Sequence, residues 1–144
     1  MIRLAALADA SAVYGLLSGE LGYRDLARAA FEDAFAKVLA HAEMKVWLAI
    51  EEGAIVGMIS LSHRPQARLG GTLATIDELV IHSSQRGKGI GGELLEAAKE
   101  ESMRLGAVRL ELETSRARDA YTREFYPKHG FTEVDRAVMR IELR

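Results

Sequence analysis

The sequence predicts one mixed α/β domain over residues 1–144, in the order β-α-α-β-β-β-α-β-α-β-β. That is a central, mostly antiparallel seven-stranded sheet with about four flanking helices. Three observations carry this reading. The runs Val46-Trp47-Leu48-Ala49-Ile50, Ala54 to His63 and Thr72 to His82 are aliphatic and β-branched and sit close together, as in an antiparallel meander. Stretches on either side of them space their apolar residues at helical intervals. A glycine-rich turn joins the last long strand to the longest helix, which makes that helix and the next strand a βαβ crossover.

Taken in order, Ile2 to Leu7 reads as a short strand, and Asp9 as the cap of a helix that Gly22 stops after Leu21. Asp25 is placed to cap a second helix, with Leu26, Ala30, Phe31, Ala34, Phe35, Val38 and Leu39 on one side. Lys45 to Glu51 is a strand, Glu52-Gly53 a turn, and Ala54 to His63 its hairpin partner. A loop from Arg64 to Gly71 precedes the strand Thr72–His82. The long helix runs from about Gly89 to Leu105, with Ile90, Leu94, Leu95, Ala98 and Leu105 inward and Gly106 as its cap. Its outer face offers the pairs Glu96/Lys99 and Glu100/Arg104. Val108–Thr114 alternates as a strand, Arg118–His129 is a last helix ending at Gly130, and Phe131–Val134 with Ala137–Leu143 close the chain as a hairpin.

Composition removes several function classes. Hydrophobic content of 49% with 28% charge is ordinary for a globular chain. A net charge of −2, with basic residues scattered among acidic ones, gives no nucleic-acid footprint. Cysteine is absent, which excludes disulfides, thiolate metal sites and a cysteine nucleophile. His41, His63, His82 and His129 lack metal-ligand spacing, so no metal is expected. Asp9 interrupts what would be the apolar region of a signal peptide, and no apolar run reaches membrane-spanning length. The expectation is a cytoplasmic protein that binds neither membrane nor nucleic acid.

The chemistry concentrates at Arg86-Gly87-Lys88-Gly89-Ile90-Gly91. Glycines let the backbone approach an anion, and the helix that follows supplies exposed N–H groups and a favourable dipole. Arg86 and Lys88 add positive charge at the same spot. A phosphate loop of the form G-x-x-x-x-G-K-[ST] does not occur. Gly87, Gly89 and Gly92 do satisfy G-x-G-x-x-G, with Glu111 or Glu113 about 20 residues on, as a dinucleotide site asks. Against that reading, the turn comes late in the chain, and His82-Ser83-Ser84-Gln85 separates it from its strand.

Arg86-x-x-Gly89-x-Gly91, after Glu78-Leu79-Val80-Ile81 and before Leu94-Leu95, resembles the acetyl-CoA signature of the GCN5-related N-acetyltransferase (GNAT) superfamily. Phe125-Tyr126 with Gly130-Phe131 is similar to that family's F/L-Y-x-x-x-G-F segment, and the resemblance covers essentially the whole chain. Where the family often has Asn and Ala ahead of the tyrosine, Asp119 and Thr122 stand here.

The resemblance implies a splayed sheet. It also implies acetyl transfer from acetyl-CoA to a primary amine by direct attack in a ternary complex. Leu79, Val80 and Ile81 would bond the pantetheine arm in a wedge between the fourth and fifth strands, with the Val80 amide polarising the thioester carbonyl. Arg86, Gly87, Lys88, Gly89, Ile90 and Gly91 would hold the pyrophosphate. Glu78 is the leading base, directly or through water, with Glu111 and Glu113 as alternatives; Tyr126 would protonate the departing thiolate. The acceptor is expected to be a small-molecule amine. Anionic ones such as aminoalkylphosphonates would be met by Arg24, Arg64 and Arg68. A homodimer is compatible, since dimers are common in the family. Two other classes stay open: a dinucleotide-binding enzyme or module, and a catalytically silent acyl-CoA sensor.

Overall fold

The computed structural model describes residues 1–20 and 25–144. Those residues form two compact units, Met1–Glu113 and Thr114–Arg144. The expected stop at Gly22 lies outside the described residues, as does Arg24.

In the first unit the elements are β1 (Ile2–Leu4), α1 (Ala10–Glu20), α2 (Arg28–Ala40), β2 (Met44–Glu51), β3 (Ala54–Gln66), β4 (Gly71–Ile81), α3 (Ile90–Arg104) and β5 (Arg109–Leu112). The strands lie side by side in chain order, antiparallel from β1 to β4, with β5 parallel to β4. The parallel pair needs the crossover that α3 supplies.

Each end of the sequence reading is adjusted by local chemistry. Asp9 does not cap α1. It sits at the end of a 3-10 turn, Leu7–Asp9, where Oδ2 accepts from the backbone N–H of Ala6 at 2.8 Å and both oxygens bind Arg3. Asp25 precedes α2, which starts after Ala27. Half of the loop expected at Arg64–Gly71 is strand: β3 continues to Gln66, a 3-10 turn over Ala67–Leu69 is closed by Gly70, and β4 begins at Gly71. On α3, Ser102 replaces Leu105 at the last inward position, its hydroxyl donating to the Ala98 carbonyl at 2.7 Å. Glu96 pairs with Lys99 as expected, but Arg104 pairs with Glu101 instead of Glu100.

Two apolar layers sandwich the sheet. Val13, Leu16 and Leu17 of α1 and Phe31 and Phe35 of α2 pack on Val46, Leu48, Met58 and Val80. On the other face, α3 buries Ile90, Leu94, Leu95 and Ala98. The approach there is close: a Cβ at Gly57 would come within 3.0 Å of the Ile81 side chain and 3.2 Å of Leu94.

The second unit holds two short helices, α4 (Asp119–Thr122) and α5 (Phe125–Lys128), where one helix was expected. Pro127 explains the break. Its ring would strike the carbonyl of Arg123 in a continuous helix, whereas it is tolerated in the first turn of α5. Glu124 makes the corner at φ 59°. Gly130 follows, also left-handed, as expected for the end of this segment. Phe131–Val134 and Ala137–Leu143 are not strands, so the described sheet has five strands rather than seven. A two-residue hairpin loop wants left-handed conformations, which Asp135-Arg136 do not adopt.

Candidate functional site

The glycine turn is built by the expected residues. After β4 a 3-10 turn, Ser83–Gln85, leads into Arg86, and Gly87 and Gly89 follow at φ 80° and 81°. Only glycine takes that conformation at little cost. No heavy atom lies within 4 Å of a Cβ built at either position, so backbone conformation, and not crowding, selects glycine. Gly89 is the N-cap of α3, and the first amide bonded back into the helix is that of Glu93, at 3.1 Å from the Gly89 carbonyl. The amides of Ile90, Gly91 and Gly92 therefore have no intrahelical carbonyl to reach.

Arg86 and Lys88 both reach protein groups around this turn. Arg86 meets Glu20, at the end of α1, at 3.3 Å; Lys88 donates to Gln85 Oε1 at 3.2 Å. Glu20 also stands 3.7 Å from His82 Nε2. No sequence signal tied Glu20 to this turn.

Beside the turn, the sheet opens. β5 pairs with β4 only from Leu73 to Ile76, opposite Arg109 to Leu112, and β4 runs on to Ile81. Leu79, Val80 and Ile81 remain paired with β3 on their other side, to Ile59, Met58 and Gly57. The direction of their amides follows from alternation. His82 N–H donates to the Val56 carbonyl at 2.7 Å, so Val80 also faces β3, and Leu79 and Ile81 face the open edge. The expectation that Val80 supplies the outward amide therefore gives way to Leu79 and Ile81.

One bulge decides where the carboxylates point. Ser62 pairs with Thr75, Leu61 with Ile76 and Ser60 with Glu78, which leaves Asp77 as an extra residue. Strict alternation would put Asp77 and Glu78 on opposite faces of the sheet. Instead both reach serines two apart on β3, hence on one face: Ser60 Oγ donates to Glu78 Oε1 at 2.5 Å, and Ser62 binds Asp77. Asp77 is exposed as a residue, yet its carboxyl is withdrawn from water enough to raise its pKa, against the weaker pull of Ser62 and the Arg64 charge. Sequence reasoning missed Asp77, since a bulge leaves no mark in a run of alternating residues.

Glu78 is half-buried and lines a cavity of about 80 Å³ between the α1/α2 layer and the sheet. Glu111 stands opposite Thr75, on the face that carries Ser62. Glu113 lies beyond the end of β5 and is exposed. Arg68 is exposed on the 3-10 turn after β3. Of the histidines, His41 meets Glu43 at 3.1 Å and His82 bonds Ser84. Among the described residues, no group of three or more His, Asp or Glu is placed to hold a metal ion.

Within the second unit, Tyr126 lies in the first turn of α5, one residue after its start at Phe125, half-buried, with Phe125 and Phe131 edge-on to its ring. Its carbonyl accepts from the amides of His129 and Phe131 at 3.0 and 3.1 Å, which folds the Tyr126–Phe131 segment back on itself. Burial raises the phenol pKa above its ordinary value, with Thr114 and the Arg118 charge pulling the other way. The hydroxyl therefore keeps its proton through neutral pH.

Residues 11–131 match the acetyltransferase (GNAT) family. Over 133 residues the chain is 36% identical to an aminoalkylphosphonate N-acetyltransferase from Salmonella typhimurium, covering 92% of this chain and 84% of that one. Among solved structures, a transcriptional regulator from Bacillus halodurans C-125 superposes with TM-score 0.89 at 25% identity, and an acetyltransferase from Trypanosoma brucei with TM-score 0.80 at 26%. Each pairing covers 99% of both chains. No described helix is long and apolar enough to cross a membrane. An open sheet, a glycine turn feeding a helix start, and a relative so similar over most of the length lead to one assignment: this chain belongs to the GNAT family and is an N-acetyltransferase.

Proposed function

We propose that the chain moves the acetyl group of acetyl-CoA directly to the primary amine of a small molecule, both substrates being bound together. The observation that carries this is the continuity of one segment. The unpaired edge of β4 runs into the left-handed glycine turn, and the turn into the free amides of α3. A long ligand with an anionic diphosphate at one end and an amide-bearing arm at the other suits that path. The outward amides of Leu79 and Ile81 would bond the arm. Leu79 or Ile81, in place of Val80, would hold the thioester oxygen as negative charge develops on it. Arg86, Gly87, Lys88, Gly89, Ile90 and Gly91 would bind the diphosphate, with Arg86 leaving Glu20 to do so.

In the chemical step the amine nitrogen bonds to the carbonyl carbon and the carbon–sulfur bond breaks. An alkyl ammonium has a pKa of about 10 and must first lose a proton. Glu78 takes that proton, directly or through water, and Tyr126 gives one to the sulfur. The raised pKa of Tyr126 supports the second role. The Salmonella relative, an aminoalkylphosphonate N-acetyltransferase, puts aminoalkylphosphonates first among acceptors to be tried.

The test combines purified protein, acetyl-CoA and a panel of primary amines that includes aminoalkylphosphonates, with release of free thiol as the signal. Amine-dependent release is expected. Acetyl-CoA binding without release for any amine would instead mark a silent acyl-CoA sensor. Thermal protection by NAD but not by acetyl-CoA would mark a dinucleotide protein.

A further inference from the structure

The cavity beside Glu78 has a composition that says more about the acceptor than the family does. Val13 and Leu17 of α1, Phe31 and Phe35 of α2, and Met58 of β3 wall it with hydrocarbon. Glu78 contributes its carboxylate, the sole charged group of the lining among the described residues. Among the described residues, Glu78 has Ser60 as hydrogen-bond partner and no cation in the cavity lining. A carboxylate held at the wall of an apolar space, with a neutral hydroxyl as its company, is electrostatically incomplete. An ammonium group completes it.

Size narrows the rest. An apolar protein cavity of about 150 Å³ takes one benzene molecule, or six carbons. At about 80 Å³, this one holds about half as much. It is too small for an aromatic ring and larger than a methyl group needs. Among the described residues no cation lines it, so nothing there draws a phosphonate or carboxylate on the acceptor inward. Ala34, in the lining but exposed on α2, marks where the cavity meets solvent.

We infer that the acceptor is a primary amine carrying a nonpolar substituent of about three carbons. The ammonium sits at Glu78, the substituent fills the space between α1, α2 and Met58, and any anionic group points away. This deepens the proposed transfer reaction and rests on it, naming the part of the acceptor that the protein selects.

The experiment uses two homologous series, plain alkylamines and 1-aminoalkylphosphonates, with substituents from none through methyl, propyl and isobutyl to benzyl. Two readouts are kept apart: kcat/KM from thiol release, and amine affinity by calorimetry on the acetyl-CoA-free protein. Each methylene moved from water to an apolar wall is worth about fourfold. In whichever series reacts, both readouts should climb by that factor to about three carbons and fall at benzyl.

Flat profiles, or a best substrate with no substituent, would overturn the inference while leaving the transfer reaction intact. Amine binding that follows chain length without any thiol release would do the reverse. A second test puts a larger side chain at the mouth of the cavity, where an exposed helix position accepts it. Ala34→Leu should abolish the preference for longer substituents and leave acetyl-CoA affinity unchanged. A preserved preference in a folded Ala34→Leu protein would also overturn the inference.

Discussion

Alanine in place of Gly89 separates two ideas that look alike on paper, a glycine needed for room and a glycine needed for its backbone. Gly89 sits at φ 81° and ψ 2°, and a Cβ there would meet no heavy atom within 4 Å. The cost of Gly89→Ala is therefore conformational, about 1 to 2 kcal/mol for an L residue held left-handed. Stiffening of the unfolded chain offsets a few tenths of that. For a domain of this size a net loss of about 1 kcal/mol lowers Tm by about 3 to 5 °C.

Gly15 supplies the control. It lies inside α1, again with no heavy atom within 4 Å of a built Cβ, and there alanine should add about 0.5 to 1 kcal/mol. The same chemical change thus has opposite signs at two open positions. Thermal unfolding of the ligand-free proteins by circular dichroism reads both. The substitutions also split on ligand binding. Gly89→Ala should weaken acetyl-CoA about tenfold or more, by disturbing charge-assisted bonds from the turn, and Gly15→Ala should leave affinity unchanged. A Gly89→Ala protein as stable as the parent would refute the reasoning outright.

Three further outcomes are expected. Glu101 joins α3 to β2 through Lys45 at 2.8 Å and also binds Arg104, which hold its carboxyl down at about 2. Because its folded pKa lies below the unfolded value, that stabilisation is complete above about pH 4.5 and vanishes as pH falls towards 2. Glu101→Gln should cost about 1 kcal/mol at pH 7, the exposed cations being screened, and the gap in urea midpoint should close in acid; a gap that persists at pH 2 would refute the triad. Tyr126→Phe should lower kcat about a hundredfold with acetyl-CoA affinity within threefold of the parent, and near-parental turnover would end its role as the acid. Glu20→Gln should release Arg86 and tighten acetyl-CoA about twofold at low ionic strength; weaker binding would show that Glu20 orients Arg86 instead of competing for it.

Much of this architecture was legible because its signals are local. Long runs of β-branched and aliphatic residues mark β2, β3 and β4. Gly87 and Gly89 mark a left-handed turn, and the Tyr126–Phe131 pattern marks its own short segment. What stayed hidden depends on partners. Whether Val80 or Leu79 offers an amide to the open edge is a matter of register with β3, and register comes from pairing rather than from the residues of β4. The bulge that turns Asp77 to the side of Glu78 is equally a relation between two strands. Glu20 could be linked to Arg86 only once α1 was laid across the sheet. Pro127 is a local mark, readable in the sequence, against the unbroken helix expected over Arg118–His129. Likewise, Phe131–Val134 and Ala137–Leu143 were expected as a strand pair, but Asp135-Arg136 do not supply the left-handed corner that a two-residue hairpin needs.

The four-residue pairing of β4 with β5 has a consequence for how the protein spends its time without substrate. Beyond Ile76, the strand is no longer paired with β5 and offers a ladder with one side missing. A peptide-like arm laid along Leu79 and Ile81 would satisfy those amides much as an added strand satisfies a sheet edge. The cofactor is then a piece of transient secondary structure, and stability becomes a function of its concentration through simple mass action. A cell rich in acetyl-CoA would hold this enzyme in its sturdier form, and scarcity would leave the seam open to exchange, to proteases and to other chains in search of an edge.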